Sequence, residues 1–358
     1  MFFRILNGFA TYFVKPILHT TEEKVKMKFA VNIVKIGAVI VDYMKKDISI
    51  VGVPMWLGQS HYGTNLGPQS IRNAGLVERL RSLGRNVMDE GNLSIGITGR
   101  FKQSGENIKN LKTLAASTEN LAAKVSDIIE KGRFPLILGG DHSIAIGTLA
   151  GVSRHFKRLG VIWYDAHADM NTPGTSPSGN IHGMPLAASM GLGHPALTGI
   201  GGYKEKVKPE HLILIGVRDI DEGERQLIAR KNIKAYTADD VNRLGIEAVI
   251  GEALKYLAER CDGIHLSFDV DGIDPDEIPG VGTPVTGGIP YKDSLEALRL
   301  LAASGNLVSA EFVEVNPLLD TDTITTRRTV NLISAFFGEK AKYKQVAKAE
   351  KRKNAEAI

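Results

Sequence analysis

The chain of 358 residues holds a single cysteine, Cys261. A lone thiol excludes an internal disulfide and a thiolate metal cage, and it suits a reducing, cytoplasmic compartment. Long apolar runs are missing as well. The one that opens at Phe2 is interrupted by Lys15 and by the polar residues His19 to Lys24, and the run from Phe29 to Val41 contains Asn32 and Lys35. Neither reaches the roughly 18–20 apolar residues that a bilayer-spanning helix needs, and no small-residue cleavage site stands out after them. Charge of one sign is scarce too: the formal net charge is only +4, and much of it sits between Lys340 and Lys353. Aromatic residues make up 6% and do not interleave with a basic stripe, so nucleic acid is not an expected partner.

What is present is an ordinary globular balance, with 43% hydrophobic and 23% charged residues. From Ile48 onward the pattern alternates strand, loop and helix. Clean strands are expected at Ile48–Val53, Pro135–Leu138, Val161–Tyr164, Leu212–Ile215, Ile264–Phe268 and Leu307–Val315. Helical spacing is expected from Pro68 to Leu83, closed by Gly84, and from Leu111 to Lys131, closed by Gly132. Further helices are expected at Ser143–Phe156, Ile246–Arg260 and Ser294–Ala303. Near-continuous apolar strands between helices imply an α/β fold whose mostly parallel sheet is covered on both faces. No repeat or linker interrupts it, so residues 44–338 read as one domain. Residues 1–43 read as an appendage outside the folded unit, and 339–358 as a basic tail.

Polar clusters stand at the carboxyl ends of three strands, where parallel sheets collect ligands. Gly139-Gly140-Asp141-His142-Ser143 follows the first. Asp165-Ala166-His167-Ala168-Asp169 follows the second, its polar residues alternating so that they project to one side. Asp269-Val270-Asp271-Gly272 follows the third. A solvated turn would use the Asp165 trio, and an Asx turn would use Asp269 and Asp271. Gathered at one sheet edge, however, His142, Asp165, His167, Asp169, Asp269 and Asp271 supply two imidazoles and four carboxylates. Four such carboxylates cannot all stay ionised without cations. Two divalent ions would cancel them, and hard ligands with two imidazoles suit Mn²⁺, with zinc as the competitor. Such a pair can lower the pKa of a shared water and deliver hydroxide near neutral pH.

These motifs, together with Ser178-Gly179-Asn180-Ile181-His182-Gly183-Met184-Pro185, Gly282-Thr283-Pro284-Val285 and Glu314-Val315-Asn316-Pro317, resemble the bacterial-type arginases of the ureohydrolase superfamily. The resemblance covers Ile48 to Phe337. It implies a three-layer α/β/α fold, a Mn²⁺ pair in each subunit, and hydrolysis of L-arginine to L-ornithine and urea. It implies one ion held by His142, Asp165, Asp169 and Asp269, and the other by His167, Asp165, Asp269 and Asp271. Asp169 would also orient the attacking hydroxide, His182 would pass a proton to the leaving amine, and Glu314 would pair with the guanidinium. At the substrate's far end, Asn171, Ser178 and Asn180 would read the carboxylate, Asp221 and Glu224 the ammonium, and Thr283 and His167 would line the site near the metals. A homo-oligomer, trimer or hexamer, is implied by resemblance alone. The alternatives are an agmatinase or guanidinobutyrase of the same superfamily, and a catalytically inactive metal-binding scaffold.

Overall fold

The structure is a computed structural model and describes residues 46–96 and 108–338. Both ranges fall in one compact unit. The expected appendage over 1–43 and tail over 339–358 lie outside the described residues.

The strands are β1 (Ile48–Val53), β2 (Val87–Asn92), β3 (Phe134–Gly139), β4 (Leu159–Tyr164), β5 (Leu212–Val217), β6 (Lys234–Thr237), β7 (Gly263–Asp269) and β8 (Leu307–Val313). They form one sheet in the order β2-β1-β3-β8-β7-β4-β5-β6. Every pairing is parallel. Strands β1, β3, β4, β5 and β7 bury every residue, as strands shielded on both faces by helices do. Among the described residues, no helix is long and apolar enough to cross a membrane.

Strands β2 and β6 were not expected from the sequence, and both are sheet edges. An edge strand is half wet. In β2 the residues after Val87 are exposed or half-buried, so Met88-Asp89-Glu90-Gly91-Asn92 carries no apolar run to read. The helix expected over Pro68–Leu83 is two helices, Gly67–Asn73 and Leu76–Ser82. Gly75 divides them with φ at 86°, a left-handed conformation that costs glycine nothing. The strand expected to run to Val315 stops at Val313, because Glu314 turns left-handed with φ at 66°.

The chain crosses from β3 to β4 over two positions that β7 and β8 fill later. This reversal opens a crevice beyond the carboxyl ends of the strands, where α/β sheets bind ligands. Five neighbouring strands, β3, β8, β7, β4 and β5, point their ends into it. The floor is rigid. Trp163 is fully buried, and on the opposite face Tyr164 stacks on Phe268 with ring centroids 4.4 Å apart. Each such ring contributes about 1.5–3 kcal/mol by leaving water.

Candidate metal centre and substrate cavity

Each strand end presents its polar residues through a short hydrogen-bonded turn. After β3, Asp141 caps the turn His142–Ile144 by accepting from the Ser143 amide at 3.1 Å, and the Ser143 hydroxyl bonds the same oxygen. Its other oxygen accepts from the Gly58 amide at 2.8 Å. Burial, reinforced by the Glu314 charge, raises the Asp141 pKa to about 6. After β4, Asp165 accepts from the His167 amide at 2.7 Å and from the Trp163 indole at 2.9 Å. After β7, Asp269 accepts from the Asp271 amide at 2.8 Å. The Asx turn weighed above is therefore real, yet it leaves Asp269 Oδ2 free to face the crevice.

The imidazole of His142 stands at the centre. Its Nδ1 lies 3.0 Å from Asp165 Oδ2, 3.2 Å from Asp169 Oδ2 and 3.2 Å from Asp269 Oδ2. No hydrogen bond reaches this buried nitrogen from the described residues. Its ring is fixed from two sides: Trp163 stacks on it with centroids 4.0 Å apart, and Nε2 meets the Ser267 hydroxyl at 2.7 Å. A second cluster shares Asp165. His167 Nδ1 lies 3.3 Å from Asp165 Oδ1 and 3.3 Å from Asp271 Oδ2. Thus one carboxylate turns an oxygen to each histidine. The donor sets His142/Asp165/Asp169 and Asp165/His167/Asp271 are each close enough to converge on one ion.

The electrostatics of the cluster favour a bound cation. Burial penalises the charged form of every group here. It raises Asp169 and Asp269 well above the carboxylate range and also raises Asp271, each with help from neighbouring carboxylates. Burial would depress the two histidines, but the surrounding carboxylates drive His142 and His167 well above the usual range. Asp165 stays below its ordinary value despite burial, because both imidazoles face it. With no cation, the cluster must hold protons that two dications would displace. An orphaned nitrogen among three carboxylate oxygens is a metal ligand's environment, and the all-oxygen-and-imidazole donor set suits a hard or borderline divalent ion.

Beside the cluster lies a cavity of about 260 Å³. It brings together His167, Asp169, Asn171, Ser178, Asn180, His182, Asp221, Glu224 and Thr283 from the expected set. Several already have partners. Asn171 donates to Asp221 at 2.7 Å. Glu224 accepts from the Met170 and Asp221 amides at 2.8 and 2.9 Å, so it anchors the loop and caps helix Glu222–Lys231. Burial lifts its pKa to about 7. Asn180 accepts from Lys109 at 2.8 Å and from Ser60 at 3.2 Å. Ser178 accepts from the Asn180 amide at 3.2 Å, and Thr283 donates to Asp271 at 3.1 Å. Glu314 is buried behind them. It accepts from the His142 amide at 2.8 Å and from Gln59 at 2.9 Å, and His182 Nδ1 stands 3.5 Å away. The His182 pKa is raised: burial opposes the charge, but Glu314 overcomes it. A larger hollow of about 990 Å³ lies alongside, lined by Met170, Leu192, Pro195 and Leu227 among others. It contains none of the carboxylates of the cluster, so charge rather than size marks the smaller cavity as the candidate site.

A sequence model described as the Arginase family matches residues 46–338. The chain belongs to the arginase family. It is similar to the arginase of Bacillus caldovelox, 57% identical over 296 residues that span 82% of this chain and 99% of that protein. It is similar to the arginase of Brevibacillus brevis, 53% identical, with 83% of this chain and 99% of that one covered. The solved structure of the Bacillus caldovelox arginase superposes with a TM-score of 0.80 over 82% of this chain and 99% of that one, at 57% identity. An Entamoeba histolytica arginase solved with L-ornithine superposes with a TM-score of 0.77 at 37% identity, covering 82% and 99% of the two chains. The arginase family is metal-dependent, and this arginase-family chain carries a buried histidine–aspartate cluster of the kind that binds metal.

Reading the sequence missed four supporting residues. Gln59 reaches Glu314 from 255 positions away. Ser267 orients His142 and donates to the buried Glu311 at 2.7 Å. Trp163 holds both His142 and Asp165. Arg218 stands behind the Asp271 turn. Only Trp163 left a signal, an indole two positions before a predicted ligand on the same strand face.

Proposed function

We propose that this chain is a manganese-dependent arginase that hydrolyses L-arginine to L-ornithine and urea. The observation that carries the reading is the orphaned His142 Nδ1 among three carboxylate oxygens, coupled through Asp165 to a second histidine–aspartate set. The similarity to arginases at 57% and 53% identity supports the substrate. His142, Asp165, Asp169 and Asp269 would hold one Mn²⁺, and Asp165, His167, Asp269 and Asp271 the other. When bound, the pair supplies Lewis-acid activation of water at near-neutral pH.

The chain's own residues do the rest. Glu314 binds the planar guanidinium; with the His142 amide and Gln59 holding its carboxylate from behind, it orients the guanidinium carbon toward the cluster. Asp169 orients the attacking water. As water adds to the guanidinium carbon, the bond to the δ-nitrogen breaks and that nitrogen takes up a proton. His182, beside Glu314, carries the proton between cavity and leaving amine. Asn171, Ser178 and Asn180 face the α-carboxylate, while Asp221 and Glu224 lie on the α-ammonium side. A site built to bond a substrate group rejects an analogue lacking it by a large factor. Agmatine lacks the carboxylate and is therefore the informative competitor. Urea release from arginine and agmatine, measured side by side after Mn²⁺ reconstitution, tests this. Arginine is expected to be preferred; preference for agmatine would reassign the substrate, and no urea from either would reassign the chemistry.

A further inference from the structure

We propose that Arg218 is a positioning residue that locks the Asp271 end of the metal cluster, an inference that rests on the two-ion reading above. Arg218 follows β5 and is half-buried. Among the described residues its guanidinium makes no ion pair with the cluster and instead gathers backbone carbonyls. Nη2 donates to Asp271 O at 2.8 Å, Val285 O at 2.7 Å and Ile273 O at 3.4 Å. Nη1 donates to Gly216 O and Gly272 O, each at 3.2 Å, and Nε to Val285 O at 3.2 Å. These carbonyls come from three separate segments: the end of β5, the turn that carries Asp269 and Asp271, and the loop that carries Thr283.

Two of these segments, the Asp271 turn and the Thr283 loop, meet again on one carboxylate, joined there by His167 from the loop after β4. Thr283 donates to Asp271 Oδ2 at 3.1 Å, and the same oxygen lies 3.3 Å from His167 Nδ1. Asp271 is therefore held twice through one residue, at its backbone by Arg218 and at its carboxylate by a threonine whose loop Arg218 also holds. The His142 end shares none of these contacts and rests on Trp163 and Ser267 instead. The two ends share Asp165 and the Asp269–Asp271 turn, but the Arg218 clamp and Thr283 act directly on the Asp271 end. A lysine cannot reproduce the clamp, because a planar fork of five donors reaches several carbonyls at once and an ammonium is a single point.

The test is calorimetric titration of Mn²⁺ into chelator-stripped wild type, Arg218→Lys and Arg218→Met, with circular dichroism as the fold check. Wild type is expected to take up two ions. In both variants one ion should bind about 10- to 100-fold more weakly while the other loses clearly less affinity. His167→Ala should weaken that same ion, so that adding it to Arg218→Lys costs the other ion little further affinity. Should Arg218→Met fail to fold, Arg218→Lys carries the comparison. Equal weakening of both ions, or wild-type affinity for both in the folded variants, overturns the proposal. Uptake of fewer than two ions by the wild type overturns the two-ion reading on which it rests.

Discussion

At the residue scale, the question is which side chains act and which only support. His182 stands 3.5 Å from Glu314 and shares the cavity with Asp169, yet neither converging donor set includes it. His182→Asn is expected to lower kcat by roughly 10²–10⁴-fold, the usual worth of a general acid or base, while metal content measured on the purified variant stays at the wild-type level. Loss of metal would make the histidine structural. Asp165→Ala should behave in the opposite way, because one carboxylate serves both His142 and His167: metal content and urea release should fall together. Away from the site, Lys206 is buried, its ammonium bonded to the Thr198 carbonyl, and burial lowers its pKa to about 8. A lysine whose folded pKa lies below its unfolded value costs stability wherever both states are protonated, and the cost vanishes where both are neutral. Lys206→Met should therefore raise Tm relative to wild type most below pH 8. The gain should shrink as pH climbs toward the ordinary lysine range, and a gain independent of pH would contradict the assignment.

At the scale of elements, the site depends on how closely strand ends meet. Gly140 sits where three of them join: its amide donates to Val53 O at 2.9 Å, its carbonyl accepts from the Glu314 amide at 2.9 Å, and the next amide, Asp141, bonds Met55 O at 3.0 Å. A β-carbon on Gly140 would lie 2.1 Å from Met55 O and 2.4 Å from Met55 N, both backbone atoms. Gly140→Ala must push the end of β1 away, and overpacking of this kind costs about 1–3 kcal/mol. A lower Tm together with weaker Mn²⁺ binding is expected; an unchanged Tm would show that the strand ends yield freely. The same logic explains what could be read beforehand. Central strands such as Leu212–Ile215 announced themselves because both faces are dry, whereas β2 and β6 lie at the edges and carry polar residues. The six clustered residues stood out in the sequence because each lies at the end of an apolar strand and no packing need explains them. Gln59 and Arg218 were not, because their roles are distances across the fold: a glutamine is ordinary in a loop, and an arginine that bonds carbonyls leaves no charge pattern to pair with.

At the scale of the whole molecule, the cluster couples stability to metal. Asp165, Asp169, Asp269 and Asp271 are all buried within the same five-strand crevice. An ion that binds only the folded chain stabilises it by about 2.7 kcal/mol at a hundredfold excess over its Kd. Chelator-stripped protein should therefore melt lower than reconstituted protein, with Tm rising as Mn²⁺ is added. A chain that begins at Met44 should show the same metal-dependent melting and urea release, since the family match starts at residue 46; a truncated chain that is insoluble would assign the preceding residues to the folded enzyme. Protons provide the sharper measurement. Without cations, the pKa values of His142 and His167 are held high by the carboxylates around them, and burial holds Asp169 and Asp269 high. Each proton held at neutral pH must leave before its site can accept an ion. Mn²⁺ binding should therefore release protons, visible as a heat that varies with the ionisation enthalpy of the buffer, and the apparent affinity should rise from pH 6 toward pH 8. An affinity that is flat across that range, with no buffer-dependent heat, would mean that the ions bind somewhere other than this buried cluster.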